Sequence, residues 1–225
     1  MIVASFLAPR PEHPRWRDYI PSLRLLQASC DRLGLRHVVI GDADLPGFDV
    51  FHANLPRDLM PAFVLGQAAG LDALDGDILL VGADCVIARD PRAVLRDCDV
   101  AVTLGDFYDC RLNTGAIWVG GRVRRRVAAM WRQAHAEMGV LWGDDQLAIA
   151  SQFEPLPDLR LLPVTEERQE LRVKFLPVDP WNLAPEDEHR DCAHAAILHF
   201  RGRRKDWSAA WCQRFLGFGG DACAT

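Results

Sequence analysis

Asp84 closes the apolar run Ile78-Leu-Leu-Val-Gly-Ala-Asp84, and a carboxylate at the end of a buried strand is placed to hold a cation or to cap the next turn. Arg111-Leu-Asn-Thr-Gly-Ala-Ile-Trp-Val119 sets Asn113 and Gly115 at the entry to a second apolar run. A carboxamide there can bond a polar ligand, and the glycine suits a backbone that packs closely against it. Trp142-Gly-Asp-Asp-Gln-Leu-Ala148 brings Asp144, Asp145 and Gln146 to the start of a helical run, where acidic side chains also serve as caps and complement the helix dipole. Last, Ile197-Leu-His-Phe-Arg-Gly-Arg-Arg-Lys-Asp-Trp207 joins the imidazole of His199 to the ammonium of Lys205. Only Lys174 and Lys205 among the 26 basic residues are lysines, so a lysine at 205 is not the chain's default choice.

The elements that must position these residues read as strands alternating with helices. Residues 2–7 and Arg36–Ile40 are apolar enough for buried strands. Between them Tyr19, Leu23, Leu26, Cys30 and Leu33 recur at helical spacing, and Gly34 ends the run as a C-cap. Strand, helix, strand is a βαβ unit, hence a parallel sheet. A second helix carries Met60, Phe63, Val64, Gln67 and Leu71 and is expected to end near Gly70. Strands follow at Asp77–Gly82, Val100–Leu104 and Thr114–Val119, then a long helix with Val123, Val127, Met130, Trp131, Ala134 and Met138 on one face. Its other face carries Arg122, Arg125, Arg126 and Arg132. Past residue 150, repeated prolines predict loops and short strands before a final apolar strand, Ala195–Phe200, and a fraying C-terminal end.

Composition narrows the class. At 225 residues the chain fits one α/β domain. No apolar stretch approaches the ~20 residues of a membrane span, and the N-terminus lacks the build of a signal peptide. Seven scattered cysteines with no paired spacing predict a reducing compartment, so a cytoplasmic protein is expected. A net charge of −5 offers no global attraction to nucleic acid or anionic membrane. The first strand is followed by Ala8-Pro-Arg-Pro rather than GxGxxG, and neither a P-loop nor a GxSxG elbow occurs. His189, Cys192, His194 and His199 cluster in sequence, but their spacing suits no standard zinc pattern.

Taken in order, the four segments resemble the GT-A glycosyltransferases, most nearly the family that includes glycogenin-like and bacterial lipopolysaccharide galactosyltransferases. Residues 78–87 resemble that family's strand ending in Asp-Ala-Asp, 111–119 its Phe-Asn-Ser-Gly-Val, 145–146 its Asp-Gln, and 199–207 its His-Phe-x-Gly-x-x-Lys-Pro-Trp. Weaker echoes are Asp18-Tyr19, similar to an Asp-Asn-Tyr near the nucleotide base, and Trp181-Asn182 before the final strand. The resemblance implies an α/β fold: a single GT-A, Rossmann-like domain with a mainly parallel central sheet flanked by helices. Its expected span is 1–212, with the nucleotide-sugar half at about 1–120, the acceptor half at about 121–212, and a tail at 213–225.

The implied activity is transfer of a hexose from a nucleotide-sugar, expected to be a UDP-sugar, to an acceptor hydroxyl with retention. The implied donor-binding residues are Tyr19, Asp84, Asn113, Gly202 and Lys205. Asp84 and His199 would hold a divalent cation, Mn²⁺ or Mg²⁺, and Asn113, Asp145 and Gln146 would be catalytic. Gly82 stands where the family has its first acidic residue, so a weaker cation site is expected. Asp145 would be the base if the reaction inverted. Two alternatives stand beside this: a non-catalytic nucleotide-sugar or glycan-binding module on the same fold, and a nucleotidyltransferase. The acceptor is open among glycans, lipid-linked sugars, proteins and hydroxymethylated bases in DNA, the last suggested by the arginines at 122, 125, 126, 132, 201, 203 and 204.

Overall fold

The structure, a computed structural model, describes residues 1–10, 12, 14–106, 110–138 and 144–219. Strand β1 (Ile2–Phe6) lies between β2 (Arg36–Gly41) and β4 (Ile78–Val81), parallel to both, with β3 (Val50–His52) beyond β2. Every residue of β1 and β4 is buried, as expected for strands covered on both faces. The connection from β1 to β2 is α1 (Ile20–Arg32), with Pro21 in its first turn and Gly34 at φ 62 just past its end. This is the βαβ unit expected from the sequence.

Helix α2 (Leu59–Ala73) runs through Gly70 rather than stopping there. The glycine serves packing: a Cβ at 70 would stand 2.5 Å from Ile40 Cδ1, so its absence lets α2 lie close on the sheet. After β4 the chain turns at Gly82 into β5 (Cys85–Ile87), which leaves the main sheet. Strands β6 (Val100–Leu104) and β7 (Leu112–Val119) follow, then α3 (Arg124–Met138) and α4 (Asp144–Ser151). The segment past 150 forms a hairpin, β8 (Val164–Arg168) and β9 (Leu171–Pro177), and the single turn α5 (Val178–Trp181). Strand β10 (Ile197–His199) pairs antiparallel with β5.

The main sheet has the order β3-β2-β1-β4-β7-β6-β9-β8. Its pairs are parallel from β3 to β4 and between β6 and β9; β7 runs against both its neighbours, and β8 against β9. Alternation along the strands builds two cores. Ile2, Ala4 and Phe6 face the layer of α2, α3 and α4, while Val3 and Leu7 face α1. A third apolar cluster lies under α6 (Lys205–Leu216), which follows β10. The boundary expected at 212 therefore falls inside a helix. α6 continues to Leu216, Gly217 ends it at φ 73, and Phe215, Leu216 and Phe218 pack on that third cluster. Among the described residues, no helix is long and apolar enough to cross a membrane.

Candidate functional site

The short β5–β10 ladder sets the site. Its register places His199 opposite Cys85, and the backbone N–H of Phe200 donates to the carbonyl of Asp84 at 2.9 Å. Asp84 is thereby fixed beside His199, though 115 positions separate them in the chain. His199 Nε2 lies 3.1 Å from Asp84 Oδ1, and Lys205 Nζ lies 3.5 Å from Asp84 Oδ2. One carboxylate thus has an imidazole on one oxygen and an ammonium near the other, and all three side chains are largely buried. Burial pushes the Asp84 carboxyl up, but the His199 hydrogen bond and the charges of His199 and Lys205 outweigh it and hold the group below its ordinary value.

Aromatic packing aims Lys205. Phe200 is buried and meets Trp207 and Trp211 edge-on, with ring centroids 5.4 and 5.8 Å away, which pins the start of α6 against β10. Gly202 makes the bend between them at φ 65. Lys205 then occupies the first position of α6, where a helix dipole disfavours a cation. Asp84 on one side and the Tyr19 ring, 4.5 Å from the ammonium, on the other offset that cost. Tyr19 stands just before α1 and packs on the α1-side core, with its ring face to Lys205.

Asn113 lies in β7, buried, and its Oδ1 accepts from the N–H of Gly115 at 2.8 Å and from Asn182 Nδ2 at 2.9 Å. Asn182 Nδ2 also donates to Thr103 Oγ1 at 3.3 Å, and that hydroxyl donates to the Asn113 carbonyl at 3.2 Å. The carboxamide oxygen of Asn113 is fully engaged inward. Gly115 is required by the site: a Cβ there would stand 2.6 Å from His199 Nδ1. At Gly82 a Cβ would fall 2.9 Å from Asp84 Oδ1, 3.4 Å from His199 Nε2 and 3.5 Å from Cys85 Sγ.

The structure thus gathers Asp84, His199, Lys205 and Tyr19, with Asn113 adjoining through Gly115 and Gly202 shaping the bend that leads to Lys205. Gln146 is half exposed in the first turn of α4, a helix that packs on β7. The side chain of Asp145 lies outside the described residues. Three members were not expected: Cys85, Thr103 and Asn182. The Trp181-Asn182 echo was a signal for the last, but nothing in the sequence pairs 182 with 113. Among the described residues, Asp84, Cys85 and His199 alone form a trio of metal-ligand types, their ligand atoms within 4.8 Å of one another. His194 pairs instead with Asp179 at 3.1 Å, and Cys192 is buried in the core under α6.

Most arginines of α3 and of the turn before it are engaged elsewhere. Arg122 and Arg126 bind Asp99 and Glu170 at 2.6 and 2.9 Å, Arg132 binds Asp72, and Arg124 is buried against the end of α2. The basic face expected from the sequence is mostly a set of internal ion pairs, with Arg125 exposed among them.

No protein-family model matches the chain, and no curated protein matches its sequence. Solved structures do. A glycosyltransferase involved in glycosylation of the major capsid of PBCV-1 superposes with a TM-score of 0.61 at 11% identity, covering 92% of this chain and 99% of that one. An active-site mutant of LgtC gives 0.55 at 12% identity, covering 98% and 96%. The glycosyltransferase GlyE of Streptococcus pneumoniae TIGR4 gives 0.52 at 13%, with 98% of this chain spanning 62% of that one. The chain therefore has the GT-A architecture that the sequence motifs implied. At such identities the likeness defines the fold; function rests on the site.

Proposed function

We propose that this protein is a glycosyltransferase that moves a hexose from a nucleotide-sugar, of the UDP class, to an acceptor hydroxyl. The observation that carries the reading is the Asp84 carboxylate set between His199 and Lys205 with Asn113 alongside. Three segments distant in sequence, at 84, 113 and 199–205, converge there, and the lysine stands where the helix dipole alone would not have put it. A galactosyltransferase of the same fold, LgtC, has been solved with donor and acceptor sugar analogues (TM-score 0.50, 13% identity), which supports a sugar donor as the ligand of this cluster.

Asp84 and His199 suit a divalent cation: a carboxylate oxygen and an imidazole nitrogen face the same space, and Gly82 keeps that space clear. An ion held by Asp84 and His199 would supply positive charge to offset that of the leaving nucleotide. Lys205 neutralises the same charge from the other side, which matters most as the sugar–phosphate bond breaks. Asn113, its oxygen held inward, presents its Nδ2 as a donor to a hydroxyl of the sugar. The configuration is retained, the leaving phosphate accepting the acceptor's proton, so no dedicated base is required. Because Arg122, Arg126 and Arg132 are spent on acidic partners, a glycan hydroxyl is a better acceptor than a base in DNA.

The test incubates the protein with a panel of UDP-sugars, with and without added divalent cation, and measures release of free nucleotide. Offering glycans and DNA containing 5-hydroxymethylcytosine in parallel, followed by mass analysis, identifies the acceptor. Metal-stimulated turnover of one donor, lost in Asp84→Asn and in His199→Ala, is expected. Tight donor binding with no turnover under any condition would make the protein a binding module instead.

A further inference from the structure

Gly82 leaves a space beside Asp84 that three ligand types surround. Around the point where a Gly82 Cβ would stand lie Asp84 Oδ1 at 2.9 Å, His199 Nε2 at 3.4 Å and Cys85 Sγ at 3.5 Å. The three ligand atoms are all within 4.8 Å of one another. Ligands on a tetrahedral zinc, bound at about 2.0–2.3 Å, sit roughly 3.3–3.8 Å apart, so a shift on the order of an ångström would close the trio on one ion. We propose that Cys85 is the third protein ligand of this cation site, and that the Asp84–Cys85–His199 set selects a zinc-class ion over magnesium.

The chemistry follows from the donor types. Magnesium prefers hard oxygen ligands, commonly one or two carboxylates with waters and phosphate oxygens, so an imidazole and a thiol add little to its binding. Thiolate and imidazole favour zinc and its neighbours, and three protein ligands with one open position is the pattern of zinc sites that also bind substrate. The open position would go to a diphosphate oxygen. In the free protein Cys85 is a buried thiol that donates to the Gly115 carbonyl at 3.5 Å. Binding of a dication replaces the S–H bond with a sulfur–metal bond and releases one proton to solvent, so no oxidant or reductant is involved. Gly82 is what allows this, since any side chain there would occupy the space between the sulfur and Asp84.

The inference rests on the reading of this cleft as a cation site, but not on sugar transfer, and can be tested without turnover. Full-length protein, freed of metal with a chelator, is titrated with Co²⁺ as a spectroscopic stand-in for zinc. A thiolate-to-cobalt charge-transfer band is expected, absent in Cys85→Ser and in His199→Ala, and competed away by Zn²⁺ but not by millimolar Mg²⁺. Zinc affinity should fall about tenfold or more in Cys85→Ser, as for loss of a site's supporting ligands, while a thermal melt confirms folding. Cys85→Ala serves as second variant if the serine protein unfolds. A band that survives in both Cys85 variants would overturn the proposal. So would a wild type that binds Mn²⁺ or Mg²⁺ through Asp84 with no sulfur band; that result leaves the glycosyltransferase reading standing. If no divalent cation binds through Asp84, both fall.

Discussion

Two histidines in this protein, His37 fully buried and His199 half-buried, make opposite use of their surroundings. His37, in β2, is 2% exposed, with Nε2 2.9 Å from Ser5 Oγ and Nδ1 3.1 Å from Gln27 Oε1. Its partners are neutral, one from β1 and one from α1, so the imidazole ties helix to sheet. Burial lowers its pKa from 6.5 to about 4, and it stays uncharged near neutrality. His199 faces a carboxylate that also faces a lysine, at the end of a strand and beside a bend. A brace needs satisfied hydrogen bonds and no charge. A buried group of charges held by a two-stranded ladder costs desolvation that folding alone does not repay, and so points to a ligand.

The largest effect should come from the charged cluster. Lys205→Ala is expected to cut turnover by about 10²–10³-fold, the usual loss when one charge-stabilising donor is removed. Lys205→Arg should recover only part, because a planar fork cannot replace a compact ammonium between Asp84 and Tyr19. Steady-state rates of nucleotide release measure this. Unaltered turnover in Lys205→Ala would make the cluster a brace like His37 and erase the contrast.

His37 supplies the reverse control. Its folded-state pKa lies below its unfolded one, so between pH 6.5 and about 4 the unfolded chain binds the extra proton. Stability from this residue is complete above pH 6.5 and declines as pH falls, by about 3 kcal/mol at the lower limit. Denaturant melts across that window should show the decline in wild type and a flatter profile in His37→Gln, with turnover at neutral pH unaffected. Equal slopes in the two proteins would mean that His37 titrates normally.

How far the site was legible in advance depends on what kind of contact holds it. The βαβ start, the strand Ile78–Val81 leading into the turn at Asp84, and the His199-to-Lys205 segment are local patterns, and they lie where the periodicity and the segments of the sequence put them. The β8–β9 hairpin turns through Gln169 and Glu170 at φ 46 and 57, with neither glycine nor asparagine to mark it, so it could be expected only as short strands among loops. α6 was hidden by the basic run before it and by Gly217 onward. Cys85 and Asn182 gain their places only from tertiary contacts, across β10 and across β6, which no spacing encodes.

Asn182 sharpens the comparison at a smaller scale. It is 2% exposed, its Nδ2 bridges Asn113 and Thr103, and its own Oδ1 is buried without a partner. If it orients Asn113 toward the sugar, Asn182→Ala should weaken nucleotide-sugar binding by about tenfold, the worth of roughly one hydrogen bond. Binding of the nucleoside diphosphate, which has no sugar to read, should hold steady. Calorimetry with both ligands decides, and an equal loss for both would reduce Asn182 to packing.

The smallest effect belongs to the α3 arginines, and smallness is the point. Arg126 and Glu170 are 44% and 85% exposed at their side chains, and Arg132 and Asp72 are 42% and 38%. Water screens such pairs, and holding two long side chains in place costs entropy, so each contributes roughly 0–1 kcal/mol. Arg126→Ala with Arg132→Ala should therefore shift stability by less than the His37 titration does and leave donor turnover unchanged. The same double variant also tests the DNA acceptor. Arginines already paired with carboxylates release few counterions from a duplex, so wild-type binding to DNA should be weak and its salt dependence shallow. A steep salt slope in wild type that flattens in the double variant would show these pairs opening to take phosphate. The basic face would then join the charged cluster as a functional surface, and the acceptor would be nucleic acid.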